Sequence, residues 1–207
     1  MAEKLSKHCW STPKCGISTA ERHFRFSKPV NYVFIIVRNP YHRMVSFYNN
    51  KIIYAGVSPY ELDRQTYEKP VVIPHLNAGN THMSFRQFIE LVGKIEVLLA
   101  DRHLLPQYAG VESMKFDYVV RCESYAKDVK SVCDVLELDY EKYAKLNVNH
   151  FPRTDISDFA ADQPALWFHE HGIPRRYDVF YDDALEEIVW NQYQKDFELF
   201  GYERRDI

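Results

Sequence analysis

The densest apolar run in the chain, Val30 to Val37 (VNYVFIIV), is rich in β-branched and aromatic residues, and it reads as a strand covered on both faces of a parallel sheet. It stops at Arg38-Asn39-Pro40. Asn39 suits a helix cap and Pro40 a first helical turn, so Tyr41 to about Tyr54 is expected to form a helix with Met44, Val45, Tyr48 and Ile52 on one side. Residues Ala55 to Asn80 carry Gly, Pro and Asn without periodicity and read as a long functional loop. Ser84 is placed to cap a helix over the following Phe85 to Val92. A second strand, Tyr118 to Arg121 (YVVR), precedes a helix from about Ser124 to Leu136 with Val129, Val132, Cys133 and Leu136 as its apolar stripe. Asp182 to Phe200 repeats Leu185, Ile188, Val189, Tyr193, Phe197 and Phe200 at helical spacing, and Gly201 is placed to end that helix. Strands alternating with helices imply a parallel α/β sheet.

Composition adds limits to this picture. At 207 residues, with 46% hydrophobic and 27% charged positions, the chain has the make-up of one globular domain spanning 1–207. A net charge of -3 argues against a general nucleic-acid-coating surface, so any anion site must be local. Four cysteines, Cys9, Cys15, Cys122 and Cys133, form no CxxC pair, which points to neither a zinc site nor a disulfide framework. No stretch approaches the roughly 20 apolar residues of a membrane span, and the opening MAEKLSKHCWSTPK lacks the apolar core of a signal peptide. The residues shown therefore lead to the expectation of a cytoplasmic protein with no membrane partner.

Two segments carry phosphate chemistry. In Thr12-Pro13-Lys14-Cys15-Gly16-Ile17-Ser18-Thr19, a lysine, a glycine and two hydroxyls precede a candidate helix from Ser18 to about Phe26. Gly16 lets the backbone approach an anion, the helix start offers unpaired N–H groups, and Ser18 and Thr19 add donors. A surface turn capped by Ser18 would have the same composition. In Arg38-Asn39-Pro40-Tyr41-His42-Arg43-Met44-Val45-Ser46, a guanidinium stands at a strand end and a hydroxyl two helical turns later. That edge is where ligands bind in open α/β sheets, and Arg can clamp a phosphate with two bonds. The plainer alternative is that Arg38 and Arg43 decorate a solvated helix start.

The pattern RxPxxRxxS after an apolar strand, with PKxGxST upstream, resembles the sulfotransferases that use 3′-phosphoadenosine-5′-phosphosulfate, in particular the branch with many carbohydrate sulfotransferases. Further matching segments keep the family's order: Ser84 to Phe88, His103-Leu104-Leu105-Pro106-Gln107, Asp117 to Glu123, and Asp196 to Tyr202. The resemblance implies a P-loop-like three-layer fold with a central, mostly parallel sheet flanked by helices. It implies that Lys14, Cys15, Gly16, Ile17, Ser18 and Thr19 hold the 5′-phosphosulfate and that Arg38 and Ser46 hold the 3′-phosphate. Arg153, in His150-Phe151-Pro152-Arg153-Thr154, would match the family's later basic loop. The acceptor would be a hydroxyl-bearing small molecule or glycan.

Sulfuryl transfer places charge on the departing phosphate, which Lys14 is expected to stabilise, and the small charge of the sulfuryl group does not demand a metal. The acceptor hydroxyl needs a base. His103 is the favoured residue, with His75, His82, Glu21 and His23 as alternatives. Two departures from the family stand out. Only 23 residues lie between Lys14 and Arg38, where many relatives carry a long acceptor-binding segment, and the strand expected before Lys14 is weak, since Leu5 to Trp10 is interrupted by polar residues. Two rival functions follow: a P-loop small-molecule kinase, whose loop would end GK[ST] whereas Lys14 precedes Gly16, and a non-catalytic nucleotide-binding relative. His169-Glu170-His171 invites a metal reading, but two histidines two apart diverge on a helix.

Overall fold

The computed structural model describes residues 3–4, 9–11, 32–54, 82–100, 103–144, 152–204 and 207. Its framework is a four-stranded sheet in the order β1 (Glu3–Lys4), β2 (Cys9–Ser11), β3 (Phe34–Val37) and β4 (Tyr118–Arg121). β1 runs antiparallel to β2, while β2, β3 and β4 are mutually parallel. The chain is therefore α/β with a mostly parallel sheet. The register sets Ser11 opposite Ile36 and Val37 opposite Arg121, so the three parallel strands finish along one edge.

The weak strand signal before Lys14 is corrected by β2, which forms at Cys9–Ser11 and pairs with Phe34–Ile36. Three residues are too few to show alternation, and what defines this strand is main-chain pairing to a distant segment. The expected strand Val30 to Val37 is shorter than its apolar run. Val33 lies outside it, because its N–H donates to the Asp117 carboxylate at 2.7 Å while its carbonyl accepts from the Asp117 amide at 2.7 Å. A side chain thus supplies half of the ladder at that end.

Helices cover both faces of β3, and the pleat explains how four consecutive fully buried residues are possible. Phe34 and Ile36 join Val120 in packing on α3 (Tyr125–Leu136) through Tyr125, Val129, Val132 and Cys133. Ile35 and Val37 enter a larger core with α1 (Pro40–Phe47), α2 (Phe85–Val92) and α5 (Asp183–Phe200). Each fully buried aliphatic side chain of this kind contributes roughly 1.5–3 kcal/mol.

The helix ends follow their sequence signals. The Asn39 side chain accepts from the Tyr41 amide at 2.8 Å with Pro40 in the first turn. Ser84 and Gln87 form a reciprocal capping box on α2. Asp182 caps α5 through the Leu185 amide, and Gly201 ends it at φ +67, a left-handed conformation that glycine adopts without a Cβ penalty. The helix expected to run from Tyr41 to Tyr54 is α-helical only to Phe47 and continues as a π-helix over Tyr48–Tyr54. A smaller parallel pair, β5 (Arg153–Thr154) and β6 (Ile173–Pro174), flanks α4 (Ala165–His171). No helix among the described residues is long and apolar enough to cross a membrane.

Candidate active site

Arg38 follows directly on β3, at the edge where the parallel strands end. Its main chain is gripped by one side chain. The Arg38 amide donates to Gln107 Oε1 at 2.9 Å, and Gln107 Nε2 donates to the Arg38 carbonyl at 2.8 Å. Gln107 thereby satisfies both main-chain groups of the residue just past β3. The next amide, Asn39 N–H, donates to Glu123 Oε1 at 2.9 Å. The peptide plane between Arg38 and Asn39 is therefore held from both sides, its carbonyl by Gln107 and its N–H by Glu123.

Gln107 is fully buried and has its own foundation. Its amide and that of Tyr108 donate to the two carboxylate oxygens of Asp196, at 2.8 and 2.9 Å. Asp196 faces Arg43, whose Nη2 lies 3.8 Å from Asp196 Oδ2 with both side chains at 0% exposure. Arg43 Nη1 donates to the carbonyls of Leu105 (2.8 Å) and His103 (3.3 Å), and its guanidinium lies 5.0 Å from the Tyr193 ring centroid. The Tyr193 hydroxyl donates to the Leu104 carbonyl at 2.8 Å, at the residue where α5 departs from helical geometry (φ -124, ψ 18). Burial pushes the Asp196 carboxyl above its ordinary range, and the Arg43 charge, the Gln107 and Tyr108 amides and the Gln107 side chain pull it back only in part.

This arrangement corrects the view of Arg43 as a solvated residue. It is a core cation that pins residues 103–108 against α1, leaving Arg38 as the half-buried arginine of the motif at the sheet edge. Ser46 lies on α1 with His42 four residues earlier, and these two are the residues of α1 that are not fully buried. His42 Nδ1 is 3.2 Å from Glu123 Oε1, and its ring stacks on Tyr177 at 4.3 Å. Glu123 also accepts from the Tyr202 hydroxyl at 3.0 Å. Burial alone would raise the Glu123 carboxyl, but the hydrogen bonds from His42 and the Asn39 amide outweigh it and hold it below its ordinary value.

His103 is half-buried, and its ring centroid is 6.5 Å from that of Phe47. The segment that carries it is fastened to the strand end that carries Arg38. Arg153 lies on β5, where its Nη1 donates to the Pro174 carbonyl at 3.0 Å. His82 is exposed in a turn before α2. Lys14, Cys15, Gly16, Ile17, Ser18, Thr19, Glu21, His23 and His75, with the loop from Ala55 to Asn80, lie outside the described residues. His169 Nε2 sits 2.6 Å from the Ile53 carbonyl, and His171 Nδ1 sits 2.9 Å from the Trp167 carbonyl, so each ring is occupied by a main-chain oxygen.

Sequence reasoning passed over Gln107, Asp196 and Glu123. A usable signal existed for Asp196. It falls three residues after Tyr193 and four before Phe200, inside the apolar stripe of α5, and an acid there requires a buried cation.

A family model described as "Sulfotransferase family" matches residues 7–203, a span that includes the Lys14 segment, β3 with Arg38, and α5 with Asp196. No curated protein and no solved structure matches the chain.

Proposed function

Because the chain belongs to the sulfotransferase family and so transfers sulfuryl groups, we propose that its donor is 3′-phosphoadenosine-5′-phosphosulfate and its acceptor a hydroxyl of a carbohydrate or other small molecule. The observation that carries this reading is the rigid seat of Arg38 at the end of β3, beside the end of β2. Ser11 pairs with Ile36, and Lys14 follows Ser11 by three residues. The segment that contains Lys14 follows β2 in sequence and Arg38 follows β3, and these neighbouring parallel strands end at one edge with helices on both faces of β3, which supports a P-loop-like layout.

On this reading Lys14, Cys15, Gly16, Ile17, Ser18 and Thr19 enclose the 5′-phosphosulfate, and Arg38 and Ser46 hold the 3′-phosphate, with Arg153 contributing from the later basic segment. The acceptor oxygen attacks sulfur in line. A new S–O bond forms as the bond from sulfur to the bridging phosphate oxygen breaks, Lys14 stabilises the charge left on that oxygen, and His103 takes the acceptor's proton. The reaction needs no metal.

Transfer of labelled sulfate from the donor to a panel of sugars, phenols and peptides tests the proposal. Label should appear on at least one acceptor class and fall at least about a hundredfold with Lys14→Ala, the scale of losing a main stabiliser of transition-state charge. Donor binding without transfer to any acceptor would instead mark a non-catalytic relative.

A further inference from the structure

We infer that Gln107 is a positioning residue for the donor's 3′-phosphate, acting through the main chain of Arg38; this rests on the reading of Arg38 given above. The side chain of a residue at a strand end is aimed by the two peptide planes around its Cα. For Arg38 both planes are fixed, the first by its amide on Gln107 Oε1 (2.9 Å) and the second by its carbonyl on Gln107 Nε2 (2.8 Å). The pairing of β3 with β4 ends at Val37 and Arg121, and one step beyond it both main-chain groups of Arg38 are met by a side chain. The Gln107 side chain places its acceptor oxygen and its NH2 group on the main chain of Arg38, and it also interacts with the Asp196 carboxylate.

Gln107 is placed by groups remote in sequence. Its amide is held by Asp196 from α5, and the turn before it by Arg43 from α1 through the Leu105 and His103 carbonyls. Arg43 and Asp196 form a buried frame, Gln107 is fastened to it, and Arg38 is fastened to Gln107. The histidine-to-glutamine segment His103 to Gln107 thus has a role at its glutamine end that does not depend on what His103 does. A charge that is held in place before the ligand arrives loses less conformational freedom on binding. The expected consequence is selective: affinity gained from the 3′-phosphate, with little effect on the rest of the nucleotide.

Titration calorimetry with 3′-phosphoadenosine-5′-phosphate and with adenosine 5′-phosphate, which lacks the 3′-phosphate, gives an affinity ratio that reads this contact. Gln107→Met keeps the volume of the buried side chain and loses both hydrogen bonds; it should lower the ratio roughly tenfold, the scale of losing hydrogen bonds that orient a charged group. Arg38→Ala should lower it further, and adding Gln107→Met to Arg38→Ala should change nothing more. If Gln107→Met does not fold, Gln107→Glu, which keeps the length and the acceptor for the Arg38 amide, should still lower the ratio by a few fold. A collapse of the ratio in Arg38→Ala beside an unchanged ratio in the Gln107 variants overturns the inference and leaves the reading of Arg38 intact. Equal weakening of both ligands by Gln107→Met also overturns it, since that marks general support of the fold. An unchanged ratio in Arg38→Ala overturns the reading of Arg38 and the inference with it.

Discussion

Arg43 and Asp196 lie on helices at opposite ends of the chain and face each other across 3.8 Å with no exposure to solvent. Neither can be removed alone without leaving the other's charge, or the amides of Gln107 and Tyr108, unsatisfied in the core. Asp196→Asn puts an NH2 group against one of those amides and strands the Arg43 cation. It should cost about 3–5 kcal/mol of stability in urea denaturation, as breaking a buried pair does. Paired replacement of both residues by apolar side chains of similar volume should cost far less than the sum of the single changes. A loss under about 1 kcal/mol for Asp196→Asn would contradict the structural role assigned to the pair.

Glu123 gives the stability a pH dependence of known sign. Its carboxyl is held below the ordinary 4.5 by hydrogen bonds from His42 and the Asn39 amide that outweigh its burial. The unfolded chain therefore binds more protons than the folded one in the window just below 4.5, and the contribution of Glu123, complete above that value, is lost as pH falls through the window. Comparing wild type with Glu123→Gln between pH 7 and pH 3 isolates this term. The stability advantage of the wild type should shrink on acidification; an advantage that grows would reverse the assignment.

Cys133 should be inert in the native protein. It is fully buried against β3 and β4, and burial, with Asp134 nearby, pushes its thiol up to about 11. The thiolate is the reactive species, so alkylation at pH 8 should leave Cys133 unmodified in the folded state and modify it readily in urea. Peptide mapping by mass spectrometry separates it from the half-buried Cys122. Fast labelling of Cys133 without denaturant would show that α3 does not cover the sheet as described.

Local signals and long-range signals fared differently in the sequence. Asn39-Pro40, Ser84 and Gly201 act within one helical turn, and each one marks the boundary it was expected to mark. The strand Tyr118–Arg121 and the apolar stripe of α3 are equally local, and both are present. The sheet's β2 was nearly invisible, because its pairing with Phe34–Ile36 leaves no pattern in three residues. The frame around Arg38 was hidden for a related reason. Gln107 is 69 residues from Arg38 and 89 from Asp196, and bonds from side chains to main-chain groups over such separations impose no periodicity. In HLLPQ the histidine carries the recognisable chemistry, since imidazoles titrate and ligate, whereas the glutamine holds the main chain of Arg38 through bonds that no local pattern announces.

Thermal unfolding with added nucleotide tests the central claim most directly, since a ligand at about 100 times its dissociation constant adds roughly 2.7 kcal/mol of stability. A rise of that size with 3′-phosphoadenosine-5′-phosphate and none with ATP and magnesium is the predicted result. Stabilisation by ATP and magnesium, with no response to 3′-phosphoadenosine-5′-phosphate, would contradict the account.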